Sequence, residues 1–288
     1  MKQLLLSAAL STAAMVSFGQ SDSTPTASKV DTIRIGNMVI IKKQGDNGTT
    51  YESKSGTSRW YTGPRKPRRV ETSWMNLDLG FSNFQDNTDY ASASARAYAR
   101  PQAGGPVFTS SDFNLRPAKS VNVNLWIFRQ RLGLTKDRVL RLTYGLMLEM
   151  NNYRFDTDLR TTYVKGSDPH VTRSADNFRK NKLALDYVTV PLMLGIDTRP
   201  GRSGGFTLSG GVSVGYLYSS RNKQIGPDGK QKIKGNFDLE PWKLSYVAEV
   251  GLGPVMLYGS YAPNSLYKAG LDHMPYNVGI RFGDWDKW

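Results

Sequence analysis

The sequence predicts an all-β protein, an eight-stranded antiparallel transmembrane β-barrel with short periplasmic turns and long extracellular loops. Three observations carry that prediction. From residue 71 onward eight segments alternate apolar and polar residues, the period of two that a strand with unlike faces requires. Beyond Gln20 every apolar run is broken by polar residues within a few positions, so any membrane crossing must be made by strands closed into a barrel. The connections between segments alternate long and short. A soluble sandwich or lipocalin-like barrel would share the alternation of side chains but has no reason to alternate its loop lengths; an outer-membrane barrel does.

The N-terminus supplies the context. Lys2, the apolar stretch Leu4 to Val16 and the small residues of Ser17-Phe18-Gly19 have the three parts of a secretory signal, expected to span 1–19 and to be cut before Gln20. Residues 20–70 are rich in Ser, Thr, Gly, Lys and Pro and read as a periplasmic lead. Within it "DTIRIGNMVIIKK" (31–43) has two β-prone halves about Gly36-Asn37, a small hairpin or an edge-pairing strand. "SRWYTGPRKPRR" follows, with Arg59, Arg65, Lys66, Arg68 and Arg69 suited to acidic headgroups or to a solvated linker.

The barrel is expected over 71–288. "WMNLDLGF" sets Met75, Leu77, Leu79 and Phe81 against Asn76, Asp78 and Gly80. "SVNVNLWIF" sets Val121, Val123, Leu125 and Ile127 against Asn122 and Asn124. "VLRLTYGLMLEM" sets its leucines against Arg141, Thr143, Gly145 and Glu149. "DYVTVPLMLGI", "FTLSGGVSVGYLY" and "WKLSYVAEVGLG" continue the pattern, "VMLYGSYA" is ambiguous in phase, and "YNVGIRF" closes it. The long connections run roughly over 83–118, 155–181, 220–240 and 263–274; the short ones are "LGLTKD", "DTRPGRSGG" and Gly253-Pro254. Apolar faces should meet lipid and polar faces a lumen. Trp285 and Trp288 stand where an aromatic girdle belongs.

Composition limits the chemistry. The 288 residues include no cysteine, so disulfides, thiolate metal sites and thiol nucleophiles are excluded. The net charge of +14 calls for acidic neighbours, and export makes them envelope lipid or lipopolysaccharide and not nucleic acid. Asp78, Arg141, Glu149, Glu249 and Arg281 all fall on inward positions. Eight strands leave a lumen just wide enough for side chains to fill, and buried charges must be paired. These five are therefore expected to form a lumenal ion-pair network, a plug or a gate. Arg221, Lys223, Lys230, Lys232 and Lys234 surround a "GPDG" turn and are expected to make a basic surface loop.

Enzymatic chemistry has little to work with. His170 and His273 are the two histidines, both in expected outer loops, and "LDHM" puts Asp272 beside His273 as a minor candidate for a rim hydrolase or acyltransferase. "DNTD" at Asp86–Asp89 lacks the spacing of a calcium loop. No catalytic residue, cofactor or metal site is expected.

The last third of the chain, "LEPWKLSYVAEVGLGPVMLYGSYAPNSLYKAGLDHMPYNVGIRF", resembles the outer-membrane β-barrel proteins widespread in the Bacteroidetes, a small-barrel architecture of the OmpA type. "DTIRIGNMVIIKK" is similar to the periplasmic lead of many members. The resemblance implies an eight-stranded barrel in the cell outer membrane, delivered by the barrel insertion machinery, and implies no defined activity. The expected function is a non-enzymatic structural or surface-interaction role, with basic outer loops meeting lipopolysaccharide or an envelope protein partner. The alternative is a narrow or gated conduit through the charged lumen.

Overall fold

The computed structural model of the protein describes residues 30–54, apart from 36, 37, 46 and 47, and residues 69–282, apart from 157, 158, 201–204, 253 and 254. The expected signal peptide and Trp285 and Trp288 lie outside the described residues, as do Arg59, Arg65, Lys66 and Arg68. The chain divides into two units, Met1–Gly63 and Pro64–Trp288.

In the first unit β1 (Val30–Ile35), β2 (Met38–Gly45) and β3 (Gly48–Lys54) form an antiparallel meander in that order. The β segment expected at 31–43 is thus a hairpin, with β3 added to it. β3 is "GTTYESK", whose Thr and Tyr favour strands although it shows no apolar alternation.

The second unit contains β4 (Val70–Trp74), β5 (Leu77–Asp86), β6 (Val121–Gly133), β7 (Leu140–Arg154) and β8 (Thr161–Val164). It continues with β9 (His170–Arg173), β10 (Lys180–Asp197), β11 (Phe206–Gly226) and β12 (Gly229–Lys234). β13 (Trp242–Leu252), β14 (Val255–Tyr261) and β15 (His273–Phe282) complete it. Eight strands run in the order β10-β7-β6-β5-β15-β14-β13-β11, and the pairing of β11 with β10 closes the ring. Every pairing in the ring is antiparallel, and apart from the seam of β15 with β5 each joins strands that are consecutive among these eight. Closure removes the free edges that an open sheet would expose.

The burial pattern is inverted relative to a water-soluble sandwich. Val188, Val190, Leu192, Leu194 and Ile196 on β10 are exposed, while Thr189, Pro191, Met193, Gly195 and Asp197 between them are buried. β15 repeats this, with Tyr276, Val278, Ile280 and Phe282 outward and Asn277 and Arg281 buried. Large apolar side chains such as Phe81 and Val278, each 58% exposed, form a continuous outward belt. A belt of that extent is stable only against lipid. Aromatic residues mark its limits. Trp74 and Phe128 meet at the short-turn end, and Tyr216, Tyr218 and Trp242 stand at the long-loop end.

One irregularity decides what faces the lumen. β4 and β5 both pair with β6, Trp74 opposite Phe128 and Leu77 opposite Leu125, and Met75 between them takes a positive φ of 56°. Opposite this break the β6–β7 register shifts between Trp126 and Phe128. Such a bulge changes the parity of a strand. Asn122, Asn124 and Trp126 point inward before it, and Arg129 and Arg131 point inward after it.

The long connections fold into a compact cap. The first carries α1 (Ala93–Tyr98) and two 3-10 turns, Ser110–Phe113 and Pro117–Lys119; the second carries the β8–β9 hairpin. Tyr98, Phe113, Phe155, Tyr163, Phe237 and Tyr267 belong to one buried cluster that continues down to Leu183, Leu185 and Tyr187 of β10. The four connections are tied to one another. Backbone bridges join Ala99 to Val171 and Leu239 to Tyr267; the Tyr98 hydroxyl donates to the Phe237 carbonyl at 2.5 Å; and the Tyr163 and Tyr267 hydroxyls meet at 2.6 Å. Burial pushes the pKa of Tyr163 and Tyr267 upward, so both remain neutral.

Candidate functional site

Two assemblies of charge stand out in the barrel, one inside it and one on its outer wall. Inside, Asp78 and Arg281 face each other across the β15–β5 seam, with Arg281 Nε 2.6 Å from Asp78 Oδ1 and Nη2 2.9 Å from Oδ2. Arg281 Nη1 reaches Glu249 Oε1 at 2.5 Å, and Arg129 Nη2 reaches Glu249 Oε2 at 2.5 Å. Two guanidiniums and two carboxylates thus alternate. The Trp126 indole lies beneath them: its N–H donates to Asp78 at 2.9 Å and Arg281 stacks on its ring at 4.6 Å.

Glu149 belongs to a second cluster. It pairs with Lys243, and it accepts from Asn151 (3.0 Å), Asn277 (3.2 Å) and Thr189 (3.1 Å). Lys243 also lies over the Tyr187 ring at 4.4 Å. Amides and hydroxyls of Asn122, Asn151, Asn277 and Ser82 continue this layer across the lumen.

Arg141 corrects the expectation of a single network. It sits toward the short-turn end, paired with Glu71 of β4 at 3.0 Å and with Asp197 of β10 at 3.1 Å, and is not hydrogen-bonded or ion-paired to the other four. The five residues picked by alternation therefore occupy three clusters. Sequence reasoning left out Arg129, whose inward aim depends on the bulge, and Lys243, which alternation did place on the polar face. A cavity of about 20 Å³ between Arg129, Arg141 and Asp197 has room for roughly one water.

Tyr258 closes the middle of the lumen. It is the register partner of Gly279, which pairs with Gly80, which pairs with Asn122. A Cβ on Gly279 would lie 2.4 Å from the Leu79 carbonyl and 2.7 Å from the Tyr258 ring. The two glycines leave the Tyr258 ring room to cross two strands and donate its hydroxyl to Asn122 Oδ1 at 2.5 Å.

The basic residues expected in a loop are in strands. β11 runs on beyond the barrel and turns into β12, pairing Arg221 with Lys234 and Lys223 with Lys232, while Lys230 pairs with Ile225. β10 extends alongside it, pairing Lys182 with Lys223 and Lys180 with Ile225, and β7 adds Arg154 opposite Lys182. These residues share one face of a four-stranded sheet. It is the outward face, because Lys182 has the parity of Val188 on the same strand. The opposite face holds Asn181, Leu183, Asn222 and Gln224, all buried. Asp186 accepts from both terminal guanidinium nitrogens of Arg221, Nη1 and Nη2.

His273 is enclosed and is not displayed at the rim. Its ring is fully buried, stacked on Phe84 at 4.2 Å with Phe113 and Tyr267 at its edges, and its Nε2 lies 3.5 Å from Asp86, not Asp272. Burial raises the pKa of Asp86, but His273, Tyr90 and Thr88 outweigh it and hold the carboxyl well below the usual range. That carboxylate accepts from the Tyr90 hydroxyl at 2.6 Å and the Thr88 N–H at 3.0 Å, so "DNTD" is a hydrogen-bonded turn. Among the described residues no group of three or more His, Asp or Glu is placed to hold a metal ion.

The family model for the outer membrane protein beta-barrel domain matches residues 76–266. No curated protein sequence matches the chain. Solved structures with some likeness include Ail, the attachment invasion locus protein of Yersinia pestis, at 12% identity and a TM-score of 0.27 over 73% of this chain and 98% of that one. A second is Ail in complex with the heparin analogue sucrose octasulfate, at 14% identity and a TM-score of 0.29 over 75% of this chain and 100% of that one.

Proposed function

The chain belongs to the outer membrane protein beta-barrel domain family, and from that premise we propose that it is a closed, non-enzymatic barrel of the outer membrane that acts through its cell-surface face. The observation that carries this reading is the cross-tied cap. Four connections share one aromatic core over a lumen that is filled by ion pairs and amides. Such a cap presents a fixed surface to the outside, as an interaction protein requires. A conduit would need the cap and the charge layers beneath it to open together. A rim enzyme would need an accessible base, and His273 is enclosed by aromatic rings.

The basic sheet beside the cap gives that surface its preference, for lipopolysaccharide or another acidic envelope component. The reading is tested by inserting the purified, folded protein into planar bilayers. The expected result is a silent membrane with a barrel that still shifts mobility on boiling. Regular openings, altered by Lys243→Met, would overturn it in favour of the conduit.

A further inference from the structure

We propose that the outward face of the β7–β10–β11–β12 sheet binds the phosphate groups of an anionic lipid of the outer leaflet. The proposal rests on the surface-interaction reading and narrows it to one site and one ligand chemistry.

The first argument is electrostatic. Lys182 is flanked across the strands by Arg154 and Lys223. Lys232 faces Lys223 from the other side, and Lys234 faces Arg221. Like charges directly opposite on a sheet repel. Asp186 compensates Arg221, but Lys182 is held down to about 8 by its burial and by Lys223, Lys180, Arg221 and Arg154. A sheet that carries unneutralised repulsion of this kind is completed by an anion from outside.

Protection of a sheet edge does not account for the arrangement. Lysines do guard an edge strand against unwanted pairing, and β12 is such a strand. Lys182 and Lys223, however, stand on strands paired on both sides.

The second argument is position, and it selects a lipid as the source of the phosphate. The basic face is continuous with the lipid-facing wall. Lys182 follows the outward parity of Val188, and the exposed rings of Tyr216, Tyr218 and Trp242 lie between the apolar belt and the cations. Arg221 and Lys223 come three and five residues after Tyr218. At about 3.3 Å per residue and a strand tilt of roughly 40°, they stand roughly 8–13 Å above that girdle. This is the headgroup layer, and long lysine side chains can reach down into it. The face points sideways from the barrel wall, as Val188 does lower on the same strand, and not upward from the cap.

The test uses the folded, full-length barrel in zwitterionic micelles, titrated with bis-phosphorylated lipid A. Dephosphorylated lipid A, inorganic phosphate and a sulfated heparin-type oligosaccharide are titrated in parallel. Wild type should prefer the phosphorylated lipid by at least about tenfold, and Lys182→Gln/Lys223→Gln/Lys232→Gln should weaken it by about 100-fold, from the contribution expected of each cation near an anionic surface. Arg96→Gln/Lys119→Gln, cations elsewhere on the cap side, should bind as wild type does. All variants are first checked for the mobility shift on boiling, and loss of repulsion should leave folding intact. Equal binding by the triple variant, or equal binding of the dephosphorylated lipid, would overturn the site. Inorganic phosphate binding the same lysines without lipid preference would show a free-anion site, and oligosaccharide binding without lipid binding a glycan site; either overturns the lipid assignment. The closed-barrel reading fails on a separate readout, ion conductance.

Discussion

Glu249→Gln is the sharpest perturbation of the lumen. The wild-type cluster sets Arg129 and Arg281 against Asp78 and Glu249, and Glu249 gives one oxygen to each guanidinium at 2.5 Å. All four side chains are at most 5% exposed, so the charges are little screened by water. Glutamine keeps the shape and one accepting oxygen but removes a charge, leaving Arg129 and Arg281 with Asp78 as the remaining carboxylate of the four. Breaking a buried pair from one side costs about 3–5 kcal/mol. The retained hydrogen bond to a charged donor returns roughly 1.5 kcal/mol of this, the low end for such bonds, because a neutral amide oxygen is a weaker acceptor than a carboxylate. The expected loss is therefore about 2.5 kcal/mol, on the order of a 70-fold shift of the folding equilibrium. The assay is urea unfolding of vesicle-inserted barrel followed by tryptophan fluorescence, to which Trp126, in contact with the cluster, contributes. Adding Arg129→Met should recover at least half the loss, because it removes the guanidinium whose carboxylate partner was lost while Arg281 keeps Asp78. A single variant within about 0.5 kcal/mol of wild type, or a double variant worse than the single one, would refute the reasoning.

Gly279→Val places a side chain against the Leu79 carbonyl and the Tyr258 ring, so it should prevent the mobility shift on boiling altogether, whereas Gly259→Ala, with its nearest neighbour at 3.8 Å, should retain it. Lys182 is expected to make stability pH-dependent: its folded pKa of about 8 lies below the ordinary 10.5, so the unfolded chain binds more protons in that window and stability rises with pH from about 8 to 10.5. Lys182→Met should be more stable than wild type at pH 7, with the rise removed; an unchanged pH profile would count against the repulsive sheet. Tyr163→Phe, which removes the tie to Tyr267, should speed proteolysis of the cap by external trypsin while the membrane band stays protected. Equal digestion of both proteins would show that the cap does not depend on this bond.

Alternation alone reveals much of the barrel. In a strand each side chain is assigned to a face by parity, so Val278, Ile280 and Phe282 go outward and Arg281 inward without knowledge of any neighbour. Loop-length alternation gives the strand count and separates the short-turn end from the long-loop end. The same parity argument puts Asp78, Glu149 and Glu249 inside, but it cannot say who meets whom. Asp78 and Arg281 are 203 residues apart and meet because β15 closes on β5. Arg141 and Glu149 share a strand and a face, yet they belong to different layers, since two inward positions eight residues apart on one strand are roughly 26 Å apart.

Parity also fails wherever a bulge intervenes. Arg129 would face lipid on an unbroken β6; the shift at Trp126/Phe128, opposite the break at Met75, turns it to Glu249. The basic residues near "GPDG" read as loop because turn signals flank them, and only pairing with the extended ends of β10 and β7 makes them one charged face. The sequence by itself determined which side chains each strand offers to lipid and which to the interior, because that depends only on local backbone geometry. The tertiary structure decided which charges neutralise one another and which are left to seek a partner outside, because those pairings depend on register, bulges and ring closure between strands distant in the chain.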